Sequence, residues 1–380
     1  MHLRPIILLL LSAAISCKQV YNPPAVKNNP NFLVIDGLLN GNPGGASTFQ
    51  LSRTQNLAND STAYTPELHA TLTILGNAGD TWPITEKGNG AYASAAITLS
   101  HAEKYQLKII TQDGNQYLSD TVSILDCPNI DSLSWSQDDS SGNVHVAINT
   151  HDPANNSHYY RWTFSETWEY ESELKSELQL INGRIALAID SNQNYEIWQC
   201  WRSDSSTDIL IGNSTKLSQD LISQAPIATI PRGDQKLSVR YSIYANQYVL
   251  TPAAYQFWQI LENNNQNLGS LFDPQPSQLI GNFHCITNPN QPVIGFLSGS
   301  STKQLRLFIA NSQVQNWDTT HTECNTITIP QDPNDLTYYY YPDTLYGPYY
   351  YSSSSSLVIS KRTCLDCRLQ GGTTQKPPFW

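Results

Sequence analysis

After its first 16 residues the chain has no apolar run approaching the roughly 20 residues that a membrane-crossing helix requires, so none is expected downstream. Clustered basic residues are also missing. Lys and Arg number 21 against 32 Asp and Glu, a formal net charge of −11. Phosphate backbones are held by concentrated positive charge, and nucleic acid is therefore not expected as a partner. Charged residues make up only 14% of the chain, which leaves the surface to Ser, Thr, Asn, Gln and Tyr. That is the composition of an exported β protein rather than of a cytosolic enzyme.

Catalytic signatures are absent as well. There is no G-x-S-x-G, H-E-x-x-H, Walker loop or G-x-G-x-x-G. Ser300-Ser301-Thr302-Lys303 matches S-x-x-K, but its S-D-N and K-T-G partners are missing, and "LSGSSTKQLRL" reads as a loop between strands. Asp190-Ser191-Asn192-Gln193-Asn194 begins like a calcium loop. Tyr195 stands where that loop needs Gly and Trp201 where it needs Glu, so a turn is expected instead. His151, His158, His284 and His321 show no ligand spacing. No catalytic residue, metal or cofactor is expected from these patterns.

What is present begins at the N-terminus. "MHLRPIILLLLSAAISC" carries Arg4, an apolar stretch Ile6 to Leu11 and small residues up to Ser16, the layout of an export signal. Ala14-Ile15-Ser16-Cys17 resembles a bacterial lipobox. The resemblance implies cleavage before Cys17 and lipid on its sulfur and new amine, hence a membrane partner reached through Cys17. Residues 1–16 are read as signal peptide and 17–30 as a polar, Pro- and Asn-rich tether.

From residue 31 the hydrophobic period is mostly two. "FLVIDGLL", "STFQLSR", "HATLTIL", "TWPIT", "AYASAAITL", "YQLKIITQ" and "NQYLSDTVSIL" are separated by Asn42-Pro43-Gly44-Gly45, Gly88-Asn89-Gly90 and Asp113-Gly114. About seven strands over residues 31–126 suit an immunoglobulin-like β-sandwich. Asp113-Gly114 marks the clearest hairpin. A linker, "DCPNIDSLSW", leads to a larger β-rich second domain over 130–380. One segment breaks its strand pattern: Thr251 can cap and Pro252 start a helix near 252–263, with Ala254, Phe257, Trp258 and Leu261 on one face. The fold class is therefore mainly β, with one amphipathic helix.

Seven cysteines are encoded. Setting Cys17 aside leaves Cys127, Cys200, Cys285, Cys324, Cys364 and Cys367, an even set of disulfide candidates whose 15 pairings spacing does not resolve. "CLDC" follows a strand and precedes no helix pattern, and no second C-x-x-C or spaced histidines accompany it. A structural disulfide is favoured over metal or redox chemistry, with at least one of Cys364 and Cys367 bonded to a distant cysteine such as Cys324 or Cys200. Phe379 and Trp380 are expected to dock on the second domain. Eight tyrosines crowd residues 338–351: Tyr338, Tyr339, Tyr340, Tyr341, Tyr346, Tyr349, Tyr350 and Tyr351. They suit either a ligand or partner surface or a hairpin with alternate rings in the core.

"FLVIDGLLN", "CPNIDSLSW", "VRYSIYANQYVLTPAAYQFWQIL", "LFDPQPSQLIGNF" and, most specifically, "CLDCRLQGGTTQKPPFW" resemble the Bacteroidetes lipoprotein family of domain of unknown function 4249. The resemblance spans nearly the whole chain. It implies an envelope lipoprotein, often encoded beside TonB-dependent outer-membrane receptors, and transfers no catalytic residue; Lys18 after Cys17 gives no inner-membrane retention signal, so the outer membrane is the expected location. The same phylum glycosylates Asp-Ser/Thr-small motifs, which occur at Ser61, Thr121, Ser132, Thr319 and Thr344; Ser61, in a polar loop, is the best placed. The function expected is an anchored, non-enzymatic binding or accessory lipoprotein assisting TonB-dependent uptake of a ligand the sequence does not name. The alternative is an envelope hydrolase with a site no motif reveals.

Overall fold

Alternation builds the first unit strand by strand. Lys104–Ile110 buries Tyr105, Leu107 and Ile109 and turns Gln106 and Lys108 outward. At the end of this strand Gly114 sits at φ +83°, the Thr111 N–H donates to the Asn115 carbonyl at 3.0 Å, and the chain returns as Gln116–Ser119. The computed structural model describes residues 31–55, 65–182, 184–190, 194–266, 279, 281–319, 324–330, 345–353 and 356–380. Cys17, Ser61 and Tyr338 to Tyr341 lie outside them.

Eleven strands form one hydrogen-bonded sheet. Its path runs from Phe283–Cys285 through Gln116–Ser119, Lys104–Ile110, Thr71–Gly76, Thr81–Gly88, Ala91–Ser94 and Thr48–Arg53 to Leu33–Asn40 and Val293–Gly295. The two ends of that path lie side by side, so the sheet is nearly closed around Leu33, Leu51, Leu72, Ile74, Leu107 and Tyr117, all fully buried.

Residues 31–126 do not complete this sheet alone. Leu33–Asn40 pairs in parallel with Val293–Gly295 and then with Ser298–Ser300, segments that the sequence pattern places in the second domain. The reason is physical: an open strand edge demands partners, and a period of two says nothing about which sheet supplies them. After Ser301 the same chain continues as Thr302–Ala310 in the next sheet. Asn42 clamps the crossing, accepting from the Thr302 N–H at 3.0 Å and donating to its hydroxyl at 2.7 Å.

The second unit is a two-sheet sandwich. Leu221–Ile230, Val144–His151 and Ile130–Gln137 form one sheet. The other orders Gln199–Ser205, Tyr159–Glu171, Arg240–Val249 and Thr302–Ala310, with Leu210–Asn213 alongside Tyr159–Glu171. Val144, Val146 and Ile148 face Trp162, Tyr170, Tyr241 and Ile243 in the core between them.

The helix Pro252–Gln266 packs where the two units meet. The Ala254 N–H donates to Thr251 Oγ1 at 3.2 Å, and Leu250, Ala254, Phe257 and Trp258 form a buried cluster with Leu261 at its margin. No helix among the described residues is long and apolar enough to cross a membrane.

A small three-stranded sheet, Thr326–Pro330, Ser356–Lys361 and Tyr346–Ser353, packs on the hairpin Leu178–Ile181 and Arg184–Leu187 around Leu178, Ile329, Leu357 and Ile359. Two disulfides leave the short turn between Cys364 and Cys367 in opposite directions: Cys364 to Cys324 of the small sheet's segment, and Cys367 to Cys200 of the sandwich. Cys127 and Cys285, expected among the bonded set, are buried free thiols instead. They sit in different cores and behave as small apolar side chains, Cys127 Sγ meeting the Gln247 carbonyl at 3.4 Å.

Candidate functional site

A cleft of about 680 Å³ opens between the helix and the first sheet. Its apolar wall comes from Leu125, Val249, Phe257, Ile260 and Phe296. Phe257 is held by Trp258 at 5.5 Å and by Phe296 at 5.6 Å between ring centroids. The opposite wall is set by Asn282, whose amide donates to the Leu297 carbonyl at 3.0 Å and accepts from the Leu297 N–H at 2.7 Å. Gly281 lets that wall lie flat: a Cβ there would stand 1.9 Å from the Gly295 carbonyl oxygen.

Polar groups punctuate this surface. Thr251, Gln256, Ser123 and Ser298 line it, with Asp120 beside them. The Ser298 hydroxyl is buried and has no hydrogen-bond partner among the described residues, so it keeps its donor and acceptor capacity. Asp120 is largely exposed, and its carboxylate lies 3.0 Å from His284 Nε2. Among the described lining residues Asp120 is the one carboxylate, and no Lys, Arg or Cys joins it. Apolar walls with a few fixed polar groups suit capture of a small neutral ligand.

Polar clusters elsewhere are occupied with holding the fold. Ser214 donates to Asp220, and its Oγ lies 3.1 Å from His158 Nδ1. The residue types are those of a hydrolytic triad, but the order differs: serine stands between the other two, so its proton points at the carboxylate and not at the imidazole. Ser214 and Asp220 are also buried, and Asp220 accepts from Tyr160 and from the Asp152 N–H at 2.7 Å. Glu166 is similarly engaged, by Lys236 Nζ at 2.6 Å and Tyr241 at 2.8 Å. Ser300, the serine of S-x-x-K, is fully buried, accepting from the Val249 N–H at 3.1 Å and donating to the Ser301 carbonyl at 2.6 Å. No group of three His, Cys, Asp or Glu among the described residues is placed to hold a metal.

The tyrosine-rich run divides. Tyr346 packs against the small sheet's core, Tyr349 and Tyr350 meet edge to face at 4.7 Å, and Tyr351 is 44% exposed. A register shift between Pro348 and Tyr350 breaks the alternation that would send successive rings to opposite faces. None of these four rings lines the cleft. The cleft residues carry no catalytic motif; those marked in sequence are Thr251 as the helix cap, Phe257 on the helix's apolar face and Thr121 in a glycosylation-type triplet.

A mainly β protein with a disulfide-tied C-terminal region and a cleft between its units is thus defined. The chain belongs to the family described as Domain of unknown function (DUF4249), whose model matches residues 19–306. No curated protein matches. Similar solved structures include the adhesin InvE of Yersinia pseudotuberculosis, 11% identical over 57% of this chain and 56% of that one, with a TM-score of 0.17. A DUF4785 family protein of Legionella pneumophila is 10% identical over 57% and 52%, with a TM-score of 0.16. Salmonella alpha-2-macroglobulin is 10% identical over 80% of this chain and 15% of that one, with a TM-score of 0.19. The chain spans about half the length of the first two.

Proposed function

We propose that this protein is an outer-membrane-anchored, non-enzymatic binding lipoprotein that holds a small neutral ligand for a TonB-dependent uptake system. The cleft between the helix and the first sheet carries the reading: its volume lies within the range of ligand pockets, and its lining pairs apolar walls with separated hydroxyl and amide groups. Anchoring rests on the lipobox-like Ala14 to Cys17. Two disulfides accord with an oxidising compartment such as the envelope. The hydrolase alternative gains nothing from the serine, histidine and carboxylate cluster, whose proton arrangement is wrong for a nucleophile.

The test is affinity purification of the full-length tagged chain from native outer membranes, with mass spectrometry of what accompanies it. Co-recovery of a TonB-dependent receptor, lost when Cys17→Ser releases the chain into the soluble fraction, is expected. Recovery without any receptor, or an unchanged distribution of the Cys17→Ser variant, overturns the proposal.

A further inference from the structure

The outer face of the five-stranded sheet differs from an ordinary solvated β face. Opposite its core side, register places Arg161, Thr163 and Ser165 beside Tyr248, Asn246 and Tyr244, and these beside Thr302, Gln304 and Arg306. None of these nine side chains is a lysine or a carboxylate, and the carboxylate of Asp36 meets the patch only at its end, 3.8 Å from Arg161 Nη1. The patch carries amides, hydroxyls and tyrosine rings.

These side chains are locked to one another. Tyr244 donates to Gln304 Oε1 at 2.6 Å, Gln304 Nε2 donates to Asn246 Oδ1 at 2.7 Å, and Asn246 Nδ2 reaches Thr163 Oγ1 at 3.5 Å. Thr163 meets the Tyr248 hydroxyl at 3.2 Å. Among the described residues each amide uses one N–H and a carbonyl lone pair and keeps its second N–H and second lone pair. The array is therefore oriented before anything binds, which lowers the ordering cost of recognition.

Two stacked arginines bound the patch. At one end Arg161 lies 3.6 Å from the Trp258 ring centroid; at the other Arg306 lies 3.7 Å from Phe379 and 4.5 Å from Tyr244. Beyond Arg306 the face is already occupied, because Trp380 packs on Phe308 with centroids 5.6 Å apart. The open patch thus continues an interface the chain makes with its own C-terminal segment.

We propose that this patch is a binding surface for a neutral glycan chain laid across Tyr244, Asn246, Tyr248, Thr163 and Gln304. Vicinal sugar hydroxyls both donate and accept, as each free amide edge requires, and the apolar faces of sugar rings match tyrosine rings. An extended peptide fits less well, since peptides add to sheet edges through backbone groups. Here one edge carries the bridge from Trp201 to Thr373 and the other packs against Ile130–Gln137.

Calorimetric titration of the full mature chain with soluble cello-, malto-, xylo-, manno- and chito-hexaoses tests this surface independently of the cleft. Saturable binding of at least one is expected, weakened about tenfold or more in an Asn246→Ala/Gln304→Ala variant. Ser298→Ala, in the cleft, should leave it unchanged. Both amides are at least partly exposed, and an unaltered melting temperature shows that the double variant folds. No binding by any of the five up to about 10 mM, binding undiminished in the double variant, or binding abolished by Ser298→Ala overturns the proposal.

Discussion

Trp380 donates its indole N–H to Glu169 Oε2 at 2.8 Å across a sequence separation of 211 residues. Glu169 is buried and accepts a second bond from Gln199, so the Trp380 ring satisfies a carboxylate near the end of the long sandwich strand Tyr159–Glu171. Arg240 reinforces the dock, standing 5.4 Å from the Trp380 ring and 4.3 Å from Phe308. Trp380→Phe keeps the ring and removes the donor. A loss of about 1 to 2 kcal/mol is expected, read as a melting temperature lower by a few degrees in scanning calorimetry. An unchanged melting temperature would show that water replaces the indole at no cost.

The two bonds leaving the Cys364 to Cys367 turn should appear as separate cross-linked peptides when the protein is digested without reduction. Replacing Cys200 and Cys367 together by serine opens a closure of 167 residues and should cost about 2 to 5 kcal/mol. A Cys364–Cys367 peptide in the digest would contradict the pairing.

Burial pushes the Cys127 thiol up to about 12 from 9.0. Its neutral form is favoured only in the folded state, so this contribution to stability is complete below pH 9.0 and is lost as pH rises from 9.0 towards about 12. In the folded chain neither Cys127 nor Cys285 should react with a thiol reagent at neutral pH. Both should do so in denaturant. Rapid labelling of the native protein at Cys127 would refute the burial argument.

Ser298→Ala should separate stability from binding. Removing a buried hydroxyl without a partner relieves a desolvation cost, and a gain of up to about 1 kcal/mol is expected in denaturant unfolding. Occupancy of the cleft by a ligand that bonds this hydroxyl should fall in the same variant. A destabilised Ser298→Ala would mean that the hydroxyl is satisfied in solution.

Local features were legible in sequence because their causes are local. Asp113-Gly114 supplies the positive φ its turn needs, and Thr251-Pro252 pairs a side-chain cap with a residue that lacks the N–H. The mainly β class followed from alternation. Sheet membership of Val293–Gly295 and Ser298–Ser300 did not, because parallel pairing joins residues about 260 positions apart. The odd thiols were hidden for a related reason: an even cysteine count fixes no distances, and Cys127 and Cys285 lie in different cores. The cleft was illegible since Ser298, Asn282 and Gln256 acquire meaning only where three distant segments converge.

The crossing at Ser301 also has a mechanical side. Leu33–Asn40 is the first described strand, and its hydrogen bonds run to Thr48–Arg53 on one side and to Val293–Gly295 and Ser298–Ser300 on the other. Tension applied at residue 31 pulls along this strand, so its bonds are loaded together in shear instead of opening one after another. Through Ser301 the load passes directly into Thr302–Ala310 and the sandwich behind it. A tug on the leading end is therefore shared by both units at once.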